Sequence, residues 1–500
     1  MAWRKLPLSA ADWPALEHNP APWAGLLSSL PDEMDYRCEI EGRLPALHGS
    51  LYRIGPGLYD RGPDRKRMML DGDGMVQALD LADGSARFRN RFVRTAKFEA
   101  EEKAGRFIHP TFSTHGSGPL RHNLGINIVN QANTTVIEWA GRIFAFDEGQ
   151  RPYELDHRLE TLGERSLDAQ QAKLRYWAHW KLDAAHQRLH LLSMVAGPKP
   201  AAHVVSLDLS GKITERQTIP LPRSVYIHDW FVTGGHFVFL LHPAFISLPR
   251  MLKIAAGRET FAHAIEWRPE KGSLLTIAPR DGGEPRTIEV EPCWMWHAIN
   301  AFDDGPDIVL DFIGGDMGGG LGDEASPLFE IMQGKEPVMP SEPINLPRRL
   351  RVKPGQAAVE EKTLAGGANF ELPCVSATER GLPYSQAYMI QADAGAVFAH
   401  SLCELDGQSL ATRSYDFGPQ AFCSEPVICD AMEGEAGRYL ITQIYDASSK
   451  RSYFAVMDRS DFMAGPVARI HLRHHVPLSF HGFWSPGSPV EARASDLSQA

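Results

Sequence analysis

Apolar and polar positions alternate in short runs along most of this chain. Residues 126–149, 188–197, 202–219, 228–241 and 438–458 each read as strands rich in β-branched and aromatic residues, broken by turn signals. Ala140-Gly141, Ser210-Gly211-Lys212 and Gly234-Gly235 fall where such runs would fold back as hairpins. These signals recur roughly every ten residues from about position 50 onward, with no linker or low-complexity break. Helical periodicity is confined to short candidates at 10–30, 98–104, 165–172 and 323–333. An open sheet of that many strands would curl or split, so the pattern predicts an all-β fold closed into a propeller. The length suits seven blades of about 60–70 residues, although no Trp-Asp or similar signature repeats at a fixed period. The expected division is an N-terminal extension over 1–35, one propeller over 36–488 and a flexible tail over 489–500.

Composition narrows the class without changing the fold. The 500 residues are 43% hydrophobic and 23% charged, as in an ordinary globular chain. Length alone would allow three domains, but the continuous strand punctuation favours one unit. A formal charge of −11 argues against nucleic acid as a partner. The first residues hold no apolar core of a secretion signal, which predicts a cytoplasmic protein. Six cysteines without a Cys-x-x-Cys pair predict reduced, mostly buried thiols.

Twenty histidines stand out. His186, His190, His203 and His236 lie in turn or surface-strand contexts and call for no special role. His179 in YWAHWKLD, His228 in VYIHDWFV, His297 in WMWHAINAF and His481 in LSFHGFW are set in aromatic, apolar runs, where a buried imidazole needs a partner. No helix or turn can join residues so far apart, but the inner strands of a propeller all border its axis. Four imidazoles meeting there would suit Fe, Zn, Cu or Ni equally. Glu148, Glu371 and Glu425 are acids in similarly apolar contexts and are candidates to accept the second ring N–H of such ligands. Asp71 and Asp73, in a Gly-rich run without further acidic ligands, read as a tight structural hairpin rather than a calcium loop.

The run of motifs LYRIGPG (51–57), LDGDGMV (70–76), RFVRT (91–95), ANTTVI (132–137), PYELD (152–156), HDWFVT (228–233), HAINAFD (297–303), ELP (371–373), SEPV (424–427) and FHGFW (480–484) resembles the carotenoid cleavage oxygenases, in that family's order. The resemblance spans about residues 36–484. It implies a seven-bladed propeller whose metal-bearing face is capped by short helices and loops. It also implies one Fe(II) held by His179, His228, His297 and His481, with Glu148, Glu371 and Glu425 bonded to three of those rings. Thr134 would shape the open face of the iron. Dioxygen would be the co-substrate, and an apolar, apocarotenoid-like polyene would be split at a conjugated C=C bond into two carbonyls.

The family also contains lignostilbene-cleaving oxygenases and an O2-independent retinoid isomerase, and both remain alternatives. Asp147 stands where the stilbene branch carries a phenol-binding lysine, and Leu70 replaces a common aromatic; both departures favour the polyene. Met68 stands where many relatives carry His, outside the ligand set. A metal-stabilised binding module is a third reading, opposed by the intact ligand set. Residues 236–254, apolar and ending in Arg250 and Lys253, are a candidate mouth for peripheral contact with a membrane, with 107–112 a weaker one.

Overall fold

A computed structural model describes residues 16–126, 128–315, 327–356, 358–429 and 437–487. Seven antiparallel sheets are arranged as the blades of a propeller. Their innermost strands are Thr135–Trp139, Lys181–Asp183, Phe231–Val232, Trp294–Asp304, Ala368–Val375, the pair Ala421–Cys423 with Val427–Cys429, and His481–Pro486. Four blades are made from consecutive strands, and a fifth is interrupted by the inserted pair Ala244–Ile246 and Ile265–Trp267. The other two close the ring by joining distant parts of the chain. His481–Pro486 pairs with Gly49–Leu58, and Glu39–Gly42 pairs with Pro466–His471.

The apolar residues that alternate along the strands form clusters between neighbouring blades. Phe231, Val238, Leu240, Leu275 and Met295 pack with Leu310, Phe312 and Leu350 in one of them. Leu16, Trp23, Leu26 and Leu27 of the N-terminal segment pack against Tyr59, Ile331, Met332, Phe422 and Tyr445. None of the six cysteines, all among the described residues, is in a disulfide, and five are buried.

Two helical expectations fail. Residues 165–172 form turns, because Asp168 caps the local backbone and pairs with Arg216. Of 10–30, the described part holds only the single turns Leu16–His18 and Ala24–Leu27. Helices do form at Ala96–Ala104 and Pro327–Met332; positions 323–326 and the 489–500 tail lie outside the described residues.

Asp71 and Asp73 are structural, but not as a hairpin. A 3-10 turn at Met69–Asp71 leads into the strand Asp73–Ala82. Asp73 pairs with Lys97 at 2.5 Å, and Asp71 accepts from Ser113 and Thr114. Gly74 is required there, since a Cβ would lie 1.9 Å from the Ala132 carbonyl. This buried ionic knot anchors the loop that follows residue 104. That loop meets the excursion after Leu241 through Ala262 N–H to Phe112 O and Gly125 N–H to Ala255 O. Together they cover one end of the propeller.

Candidate metal centre

The local chain path explains how four imidazoles reach one point. His179 and His228 sit just before the inner strands of their blades, and His481 opens its strand. His297 lies inside a strand, where pairing slips on both sides of Ala298. Such a bulge turns an extra side chain out of the ladder, here toward the axis. A second slip falls directly after Glu371, which still pairs with Ile390, and takes Leu372, held at φ 50°, and Pro373 out of the register before Cys374.

The Nε2 atoms of His179 and His228 lie 2.9 Å apart. The ring of His179 is 5.2 Å from that of His297 and 4.8 Å from that of His481, centre to centre. His297 and His481 are also 4.8 Å apart. Outside the cluster, the Nδ1 atoms face carboxylates: His297 to Glu371 at 2.6 Å, His481 to Glu425 at 2.9 Å and His228 to Glu148 at 3.2 Å. Glu425 also accepts from the Gly482 N–H at 2.6 Å. Each acid therefore fixes the tautomer that leaves Nε2 free for the centre.

Burial, reinforced by the neighbouring rings, holds His179 and His297 well below the ordinary imidazole range, so both are neutral and able to coordinate. The Nε2 of His297 is buried without a hydrogen-bond partner. An orphaned acceptor beside three further imidazoles is the donor set of a nitrogen-ligated transition metal. The residues present fit such an ion.

All four histidines and all three glutamates singled out by sequence thus come together. Thr134 is half-buried, its hydroxyl bonded to Asn133, and no polar contact joins it to the four rings among the described residues. Its neighbour Thr135 instead bonds the carbonyl of Ala178, next to His179. His190 is not a surface residue: it is fully buried, bonded to Ser206 at 2.8 Å and near Asp183. His242 went unnoticed, although its FLLHPAF setting is as apolar as those of the four. It is structural, accepting from Met295 N–H and packing on Trp294 at 4.9 Å, and burial pushes it down to about 3.

One side of the centre is apolar. Trp296 lies 5.0 Å from the His228 ring, Trp294 4.9 Å from Trp296, and Tyr226 stacks on Trp294 at 5.9 Å. On the axial side is a small cavity of about 110 Å³, lined by Lys181, Asp229, Asn300 and Arg380 beside three of the histidines. Asp147 is buried and bonded to the backbone of Gln131 and Glu148, and burial pushes its carboxyl up to about 6.

A seven-bladed propeller with four axial histidines backed by carboxylates defines a class of mononuclear metal proteins. Residues 27–486 match the family described as RPE65, retinal pigment epithelial membrane protein, and the chain belongs to that family. It is 29% identical to the apocarotenoid-15,15'-oxygenase of Synechocystis sp., covering 94% of this chain and 97% of that protein. It is 26% identical to the isoeugenol monooxygenase of Pseudomonas nitroreducens, over 90% and 94% of the two chains. The cobalt-substituted Synechocystis oxygenase superposes with a TM-score of 0.84 at 27% identity, covering 93% of this chain and 98% of that one.

Proposed function

We propose that this protein is a non-haem Fe(II) dioxygenase that splits one conjugated C=C bond of an apolar, apocarotenoid-like polyene into two carbonyl products. The reading rests above all on the convergence of His179, His228, His297 and His481, three of them held by Glu148, Glu371 and Glu425. Iron, when bound, supplies the activation of dioxygen, and its soft-to-borderline nitrogen set suits that metal. The chain's own part is to keep the imidazoles neutral, aim their Nε2 atoms and exclude water. Trp296, Trp294 and Tyr226 offer an apolar wall against which a polyene can lie. Thr134 would shape the open face of the ion.

The relatives' names include both an apocarotenoid oxygenase and an isoeugenol monooxygenase. The polyene is favoured because Asp147, committed to two backbone amides, offers no cation to a phenol.

Delivery of such a substrate involves a membrane surface, in a cytoplasmic protein that docks peripherally. Strand His236–Leu241 is buried, so the contact is made by the following helix, Leu248–Ala255, which exposes Leu248 and Leu252. Leu120, Leu124 and Ile126 are exposed on the segment bonded to its end, with Arg250 and Lys253 nearby. No helix among the described residues is long and apolar enough to cross a membrane. Phe107 is buried, which removes 107–112 from this role. Residues 36–488 are read as a single catalytic propeller and 1–35 as its N-terminal extension, positions 1–15, 316–326, 430–436 and 488 lying outside the described residues.

Product mass spectrometry under 18O2 is the test, using iron-loaded protein with long and short apocarotenals, a C40 carotenoid, resveratrol and isoeugenol. The expected result is cleavage of an apocarotenal, with one labelled oxygen in each product when the carbonyls are trapped before exchange. Unlabelled products would identify an O2-independent isomerase or hydrolase, and turnover of only the phenolic compounds would overturn the substrate class.

A further inference from the structure

Blades of a propeller meet through side chains rather than through a continuous backbone ladder. Ligands drawn from separate blades therefore depend on ties between those blades to hold their spacing. Directly beside the four histidines, one buried carboxylate makes such ties. Asp229 is 2% exposed and follows His228 in the chain. Its Oδ1 accepts from its own neighbour, the Trp230 N–H, at 2.8 Å and lies 2.6 Å from the Lys181 ammonium. Its Oδ2 accepts from the Ala298 N–H at 2.8 Å. Lys181 is two residues after His179, and Ala298 is the residue after His297. A single side chain thus joins the strands that carry His179, His228 and His297. The indole of Trp230 adds a parallel tie by donating to the His179 carbonyl at 2.7 Å. The fourth ligand has a separate anchor, Glu425, which holds both the His481 ring and the Gly482 amide.

We infer that Asp229, with Lys181 as its counter-ion, is a positioning residue that clasps three ligand-bearing blades and sets the geometry and retention of the bound metal. Its bonds go to none of the metal-facing nitrogens. Its two oxygens are fully committed to the backbone of two ligand strands and to the cation of a third. The charge of Asp229 is what Lys181 requires in so enclosed a place, since a buried ion pair broken on one side leaves an uncompensated charge. The small axial cavity that both residues line gives any loosened strand room to shift.

This inference rests on the metal-centre reading above, and the experiment separates the two. Cobalt(II) is loaded into the wild-type protein and into Asp229→Ala, Asp229→Asn and Lys181→Met. Three quantities are followed: the ligand-field absorption, the rate of cobalt loss to a chelator and the thermal midpoint. The wild type is expected to take up one cobalt per chain. Asp229→Ala should shift the absorption bands and release cobalt roughly tenfold faster or more, the range for groups that orient metal ligands. Asp229→Asn, which keeps an acceptor for Ala298 but not the pairing with Lys181, should fall between Asp229→Ala and wild type, close to Lys181→Met. If Asp229→Ala does not fold, the Asn and Met variants carry the comparison. Unchanged spectra and release rates within twofold in the folded variants would overturn the clasp even if their thermal midpoints fall, leaving Asp229 a packing residue. A wild-type protein that takes up no cobalt would overturn the metal centre itself, and the clasp with it.

Discussion

Glu371 lies 2.6 Å from the Nδ1 of His297, and the Leu372 N–H donates to the same oxygen at 3.1 Å. Burial pushes its carboxyl up to about 8, against the opposing pull of the Leu372 N–H. An acid placed this way raises the basicity of the ring it holds and fixes which nitrogen faces the metal. Replacing Glu371 with Ala is expected to weaken metal binding by roughly 10–100-fold, and Glu371→Gln by less, because an amide oxygen still accepts the ring N–H. Competition with a graded set of chelators measures the difference. Equal affinity in wild type and Glu371→Ala would show that the bond to His297 carries no part of metal retention. Asp147 is the opposite case among the acids: next in sequence to Glu148, it accepts from the backbone amides of Gln131 and Glu148 rather than from an imidazole.

Two kinds of element carry function here. Bulged strands are the first, since the slips at Met295–Asn300 take His297 out of its ladder and another slip follows directly on Glu371. The second is the helix Leu248–Ala255. Ile254 is buried beneath it, whereas Leu248 and Leu252, four apart, are 71% and 67% exposed on one face. Two such side chains entering the edge of a bilayer contribute on the order of 1.5–3 kcal/mol each when fully buried. The double substitution Leu248→Ser, Leu252→Ser should therefore cut recovery with floated liposomes by at least tenfold. Turnover of a detergent-solubilised substrate should remain unchanged. Equal flotation of the two proteins would remove this helix from any membrane contact.

At the scale of the whole molecule, function depends on closure of the ring. His481–Pro486 is at once the inner strand of the blade that includes Asp35–Arg37 and Gly49–Leu58 and the carrier of His481, one of the four clustered imidazoles. Trp484 belongs to the same core cluster as Leu51, Leu79, Phe88 and Ile470. A chain ending after Ser479 would lose that strand, expose a sheet edge and leave those residues uncovered. Calorimetry should show loss of the cooperative unfolding transition, accompanied by loss of metal uptake. A truncated chain that still melted cooperatively near the wild-type midpoint would show that the remaining blades fold without closure.

The chain by itself determined the strand periodicity, the closed all-β architecture and the rings and acids of the centre. Those residues were legible because a histidine or glutamate set among apolar strand residues must find a partner, and that conflict is local. Fold and function came into view together once the motifs lined up with a known family. What surrounds the ligands was not legible. Asp229 and Lys181 look like ordinary charged strand residues until blades meet, because their partners are backbone amides and side chains from other blades. His190 misleads for the same reason, since its ring is enclosed by Phe237 of the next blade. The split of 236–254 into a buried strand and an exposed helix was likewise set by packing. Sequence specifies which groups need partners; only tertiary structure, by closing seven blades around one axis, decides which partners they get.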